Sequence, residues 1–93
     1  MTTQYHVNIW QFGNSDWDID AGAFVCQTEA EAIKKASEFI GDDAIDLASM
    51  QYRHDSNTPN PDTYRDYLVT VTPEINGELG DNILSKLTNR EPM

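Results

Sequence analysis

Residues 4–12, QYHVNIWQF, alternate in character along an extended chain. Tyr5, Val7 and Ile9 fall on one side, and His6, Asn8, Trp10 and Phe12 on the other. Period-two alternation predicts a strand, and Gly13-Asn14-Ser15 supplies turn chemistry after it. Residues 16–26, DWDIDAGAFVC, alternate again. Trp17, Ile19, Ala21, Ala23 and Val25 share one face, opposite Asp16, Asp18 and Asp20, so the two segments predict a β-hairpin. Gly22 is read as a bulge or a bend in its second strand.

From Thr28 to Ile40 the period changes. Ala32, Ile33, Ala36, Phe39 and Ile40 form a stripe at 3.6-residue spacing, which predicts a helix with one face on the hairpin. Thr28 and Glu31 have capping-box spacing, Glu31 and Lys35 stand at i, i+4, and Gly41 is a natural stop. The stripe, with Ile33, Ala36, Phe39 and Ile40 buried, is expected to rest on Tyr5, Val7, Ile9, Ile19 and Val25. A helical turn over 42–48 and a third strand over 49–54 come next, then a loop at 55–62, DSNTPNPD. The β-branched and aromatic run 63–72 predicts a fourth strand, and 73–80 a loop. Residues 81–88 read as a short helix with Ile83, Leu84 and Leu87 on its apolar side, before a loose tail at 89–93. The expectation is one α+β domain spanning 1–93. It is a small antiparallel sheet in the order ββαββ with a short C-terminal α, and one main helix packed on one face.

Charge adds a second layer. Sixteen Asp and Glu against six Lys and Arg give a net charge of −10 over 93 residues. Phosphate contacts require clustered Lys and Arg, so nucleic acid is excluded as a direct ligand and anionic membrane is disfavoured. Cations and basic protein surfaces are what such a chain attracts. The acids fall in two blocks. Residues 1–33 hold no Lys or Arg but carry Asp16, Asp18, Asp20, Glu29 and Glu31. Residues 54–85 carry Asp55, Asp62, Asp66, Glu74, Glu78 and Asp81 against Arg65 alone. The single Cys26 cannot form an internal disulfide, and there is neither a secretory pattern at the N-terminus nor an apolar run near bilayer length. A cytoplasmic location is the expectation.

Candidate chemistry is sparse. The run of Asp16, Asp18, Asp20 and Gly22 resembles a calcium loop at first sight. Counted from Asp16, however, position 6 is Ala21 and position 12 is Gln27, where such a loop needs Gly and a bidentate Glu. Read as a strand ridge, the three carboxylates lie two strand rises apart, ~6–7 Å, close to the spacing of successive nucleic-acid phosphates. His6 and Cys26 fall on the same outer face under this phasing, but no third group orients a nucleophilic pair, and a structural thiol is the simpler reading. No phosphate-binding glycine loop and no zinc spacing is present. No metal, cofactor or catalytic residue is assigned. The aromatics say more. Trp10, Phe12 and Phe24 are placed on the sheet face opposite Tyr5, Val7, Trp17 and Ile19. That face is either covered by the C-terminal helix or left in part as an anchor rimmed by acids. Tyr52, Tyr64 and Tyr67, flanked by Asp55, Asp62 and Asp66, make a second group around the 55–62 loop. The residues expected to meet a partner are Trp10, Asp16, Asp18, Asp20, Tyr52, Asp62, Tyr64 and Asp66.

The strand QYHVNIW, the segment FVCQTEAEAIKKASEF with its capped helix, and the strands SMQYRH and YRDYLVTV together resemble the layout of small phage-encoded anti-CRISPR proteins. The likeness covers about residues 4–72 and is one of size and layout, with no shared site motif to carry residues over. It implies binding to a Cas effector complex and blocking of DNA or guide recognition. The expected function is therefore a non-enzymatic inhibitor, an acidic nucleic-acid mimic docking on a Lys/Arg-rich protein surface. The alternative is a generic interaction or structural module, joined as a homodimer through a sheet edge or aromatic face. A small enzyme or cation-binding domain ranks third.

Overall fold

The computed structural model of the chain describes residues 2–13, 16–49 and 65–89, with 12, 13 and 16–21 described by backbone alone. Two long strands, β1 (Thr3–Gly13) and β2 (Asp16–Cys26), lead into helix α1 (Glu29–Ser37). A two-residue strand β3 (Ile45–Asp46) and one 3₁₀ turn (Leu47–Ser49) come after it. Then come β4 (Tyr67–Ile75), β5 (Glu78–Leu79) and β6 (Leu84–Thr88). The strands form one antiparallel sheet in the order β2-β1-β4-β6-β3, with β5 paired to the far end of β4.

The predicted hairpin is present, and so is the bulge. Ile9 pairs with Gly22 while Trp10 pairs with Asp20, so Ala21 is an extra residue between the two rungs. That extra residue shifts the phase of β2. Val7 pairs with Phe24 and Tyr5 with Cys26, which puts Phe24 and Cys26 on the helix side of the sheet. Val25, expected beneath the helix, instead lies on the other face and is 54% exposed. Phe24, expected opposite Val7, stacks on Phe39 with ring centroids 5.7 Å apart. The expected burial of Ile19 concerns a side chain outside the description.

Helix α1 starts where the capping residues place it. The Glu31 amide donates to Thr28 Oγ1 at 3.1 Å, and the extended Thr28 backbone marks the boundary. The helix ends at Ser37, capped by Glu38, so it stops short of Ile40. Gly41 closes no helix turn: its N–H donates to the buried Thr88 Oγ1 at 2.8 Å. Nine residues are too few to hold a helix alone, so tertiary contact stabilises it. That contact is made by Ala32, Ala36 and Phe39, at spacings of four and three residues, over Val7, Ile9, Val69 and Val71. Two alanines let the helix axis come close to the sheet. Ile33 is turned to the flank and is 37% exposed, which corrects its expected burial. Lys35 pairs with Glu38 at 3.4 Å, not with Glu31, and its ammonium stands 4.4 Å from the centroid of Phe24.

The second half of the chain departs further from expectation. Residues 84–88 are strand β6, not a helix, with Leu84 opposite Val71 and Leu87 opposite Leu68. The reason lies in β4, where Leu68, Val69, Thr70 and Val71 are all buried. A strand buried on both faces needs a neighbour on each edge to satisfy its amides and carbonyls, and β6 supplies the second. Residues 73–75 also belong to β4. Pro73 is tolerated because it sits where β4 changes neighbour, between the Val71–Leu84 and Glu74–Leu79 pairs. Asn76 and Gly77, with φ of 52° and 88°, then close a two-residue hairpin of the primed kind. The expected strand over 49–54 falls on the 3₁₀ turn at its start and otherwise lies outside the described residues, as do the 55–62 loop and most of the tail.

Candidate functional site

The sheet has two faces with different chemistry. The helix side is an apolar core. On the other side, β1 presents His6, Asn8 and Trp10, and β4 presents Leu68, Thr70, Thr72 and Glu74. With Leu79, Gly80 and Asn82 from the β5–β6 connection as a wall, these residues line an open groove of about 750 Å³. Both strands reach the groove by strict alternation, the same period that sends Val7, Ile9, Val69 and Val71 into the core.

Two diagonal hydrogen bonds fix its lining. Trp10 lies opposite Leu68 and His6 opposite Thr72, yet each reaches two residues further along β4. Trp10 Nε1–H donates to Thr70 Oγ1 at 3.2 Å. His6 Nε2 stands 3.2 Å from Glu74 Oε1, and because a carboxylate only accepts, the imidazole donates. The shared direction follows the twist of the sheet. The third rung is different. Thr72 Oγ1–H donates to Asn82 Oδ1, and Asn82 Nδ2 donates to Ser85 Oγ at 3.2 Å, so Thr72 ties the wall to the floor. Asn8, between His6 and Trp10, is half-buried, and its carboxamide makes no hydrogen bond among the described residues. The groove thus has an apolar end at Trp10 and Leu68, an acidic end at Glu74, and an amide with open hydrogen-bonding capacity between them.

Trp10 is the one expected contact residue that the groove contains. It is half-buried and packs on Leu68 and Leu87, beside Ile45 and Leu47. Asp20 is its register partner on β2, and Asp16 of that strand pairs with Gly13 of β1, so the hairpin brings Asp20 alongside Trp10 in the sheet. The run Asp16, Asp18, Asp20 is strand, as the alternation requires. Asp66 is exposed just before β4, at the end where Trp10 pairs with Leu68, and its N–H donates to Asn89 Oδ1 at 3.0 Å; it does not line the groove. Tyr52, Asp62 and Tyr64 lie outside the described residues. The lining residues outside the expected contact set are His6, Asn8, Leu68, Thr70, Thr72, Glu74, Leu79, Gly80 and Asn82. Two of those sets were visible as period-two rows, 6-8-10 and 70-72-74, and the Asn76-Gly77 pair signalled the hairpin that brings in Leu79.

His6 and Cys26 do not meet. Cys26 packs against the core on the helix side, whereas His6 lines the groove on the other, which corrects their expected common face. Among the described residues no group of three or more His, Cys, Asp or Glu could hold a metal ion. No helix among them is long and apolar enough to cross a membrane. Compared with protein-family models, with curated proteins and with solved structures, the chain matches none.

Proposed function

We propose that this chain is a non-enzymatic acidic binding protein that docks on a Lys/Arg-rich, nucleic-acid-binding surface of a protein complex and blocks nucleic-acid recognition there. It would act in the cytoplasm, in the manner of the small phage-encoded anti-CRISPR inhibitors whose layout it resembles. The observation that carries the reading is the disposition of charge. Glu29, Glu31, Asp42, Asp66, Glu78 and Asp81 are exposed and form no ion pair among the described residues. Lys35, Arg65 and Lys86 are each engaged by a neighbouring carboxylate. Among the described residues, three of the four cations are therefore engaged by carboxylates, Lys34 being the exception, while these six carboxylates pair with none. With a net charge of −10, the surface steers basic surfaces toward itself.

The test is binding of the partner across a salt series with nucleic acid as competitor. Affinity should fall steeply between about 50 and 200 mM salt, and excess nucleic-acid ligand should displace the protein. Charge reversal at Asp16, Asp18 and Asp20 should slow association, while Trp10→Ala should mainly speed dissociation. Binding that ignores salt and is not competed would end the mimicry reading. The position of β2 at one end of the strand order favours a second reading, a homodimer joined along that edge. Light scattering across the same salt series separates the two, because a dimer of chains at −10 tightens as salt rises.

A further inference from the structure

We propose that the groove opposite the helix receives an extended peptide segment of the protein partner, with an apolar side chain against Trp10 and Leu68 and a cationic side chain at Glu74. The inference rests on the reading of the chain as a receptor for basic protein surfaces, and it names the place and the pattern recognised.

The argument begins with shape. The groove is an open trough along two adjacent strands, and its side chains recur every second residue: Trp10, Asn8 and His6 on β1, and Leu68, Thr70, Thr72 and Glu74 on β4. Two residues of strand span ~6.6 Å, so Trp10 and His6 are ~13 Å apart. Alternate side chains of an extended ligand have that same spacing, so positions one, three and five of a peptide match Trp10, Asn8 and His6.

Polarity then orders the contacts. One end is apolar, with the Trp10 ring and Leu68 backed by Leu87. At the other, Glu74 has only one oxygen engaged, Oε1 with His6, and Oε2 has no partner among the described residues. The middle offers Asn8, whose carboxamide can both donate to and accept from a peptide unit. Leu79, 66% exposed on the wall, supplies apolar surface along the side.

Charge selects the occupant. A nucleic acid would bring phosphates to a chain of net charge −10 and to the Glu74 carboxylate. A second copy would bring the same negative charge. A basic segment alone neutralises the acidic end.

The experiment uses the full chain as Trp17→Phe, labelled with nitrogen-15, so that Trp10 gives the one indole signal. The probe is the peptide Leu-Thr-Val-Thr-Arg, acetylated and amidated; its counterpart ends in Glu, and pentalysine serves as a pure charge control. The Arg peptide should move the Trp10 indole, the Asn8 carboxamide and Gly80. It should bind at least about threefold more tightly than the Glu peptide, the range of a half-exposed ion pair. Glu74→Gln should bring that ratio close to one while leaving the rest of the spectrum in place. Equal affinity for the two peptides, or shifts confined to residues outside the groove, overturns the proposal. If pentalysine shifts exposed acidic positions such as Glu29 and Asp81 while the Arg peptide leaves Trp10 unmoved, the groove is not the receptor, but the basic-partner reading stands. If neither probe shifts any resonance at low salt, both fall.

Discussion

The two faces of the sheet are built by the same strands and do opposite things. On β1, Val7 and Ile9 are fully buried beneath α1, while His6, Asn8 and Trp10 on the intervening positions remain partly accessible. On β4, Val69 and Val71 go to the core, whereas Thr72 and Glu74 line the groove. One residue of register separates stability from recognition. The helix face gains its free energy from apolar area removed from water, and it has little tolerance for lost volume. The groove face holds polar side chains in fixed positions by cross-strand hydrogen bonds, each of them modest in energy. Substitutions on the helix face should therefore be costly and those at the polar groove positions His6, Asn8 and Glu74 nearly silent, and the comparison can be broken by finding the reverse.

The largest effect is expected at Phe39. Its ring is buried, stacks on Phe24 and joins the helix to the sheet. Phe39→Ala should lower unfolding free energy by about 3–5 kcal/mol in urea denaturation. A domain of ordinary stability, ~5–15 kcal/mol, barely tolerates that loss. A variant that unfolds at the parent's midpoint would mean the helix face is not the stabilising one.

Next in size is Gly77. Its φ of 88° is left-handed, and a Cβ there would touch nothing within 4 Å, so any cost is purely that of the backbone. Gly77→Ala should cost about 1–2 kcal/mol, and it should loosen the β5 wall of the groove more than the core. Hydrogen exchange at Leu79 and Gly80, compared with that at Val7, reads out the difference. Equal protection losses at both places would show that the hairpin and the core are one cooperative unit.

Thr28→Ala removes the side-chain acceptor for the Glu31 amide and should cost ~1 kcal/mol, with Thr28→Asp nearly neutral. Because α1 touches only the core side, the Trp10 indole resonance should not move in either variant. Movement there would mean the two faces are coupled through the sheet.

These residues also mark where the sequence was readable and where it was not. The β1–β2 hairpin and the start of α1 were legible because they depend on local signals, alternation and a cap. The phase of β2 was not, because one extra residue, Ala21, reverses the face on which residues 22–26 fall. On α1 the expected stripe of Ala32, Ile33, Ala36, Phe39 and Ile40 was too wide, since Ile33 falls on the flank while Ala32 and Ala36 are buried. Close approach to a sheet selected the smaller side chains, a choice that only the partner surface decides. The run from Ile83 to Thr88 suits a helix or a strand equally in isolation, and the open edge of β4, a tertiary feature, settled it. The Asn76-Gly77 turn is a local hairpin signal inside the stretch 73–80 that was expected to be a loop. The groove was not legible for another reason. Charge blocks point to acidic residues, whereas the groove is assembled from polar positions of β1 and β4, strands brought together from distant parts of the chain.

The smallest expected effect on stability is at Glu74, and it gives the sharpest form of the comparison. Its pairing with His6 is a single contact at 3.2 Å between side chains that are each more than a quarter exposed. Partly solvated pairs of this kind contribute about 0.2–1 kcal/mol, and Gln keeps an acceptor for the imidazole N–H. Glu74→Gln should therefore leave the unfolding free energy within about 0.5 kcal/mol of the parent. Glu74→Leu removes the acceptor altogether and should cost slightly more, with the His6 side chain released to solvent rather than trapped, since nothing buried depends on it. If Glu74→Gln instead destabilised the protein as much as Thr28→Ala, the groove would be a structural element of the fold. The division of labour between alternate residues of β1 and β4 would then fail, because the groove face would be stabilising the same molecule that it was assigned to leave free for a partner.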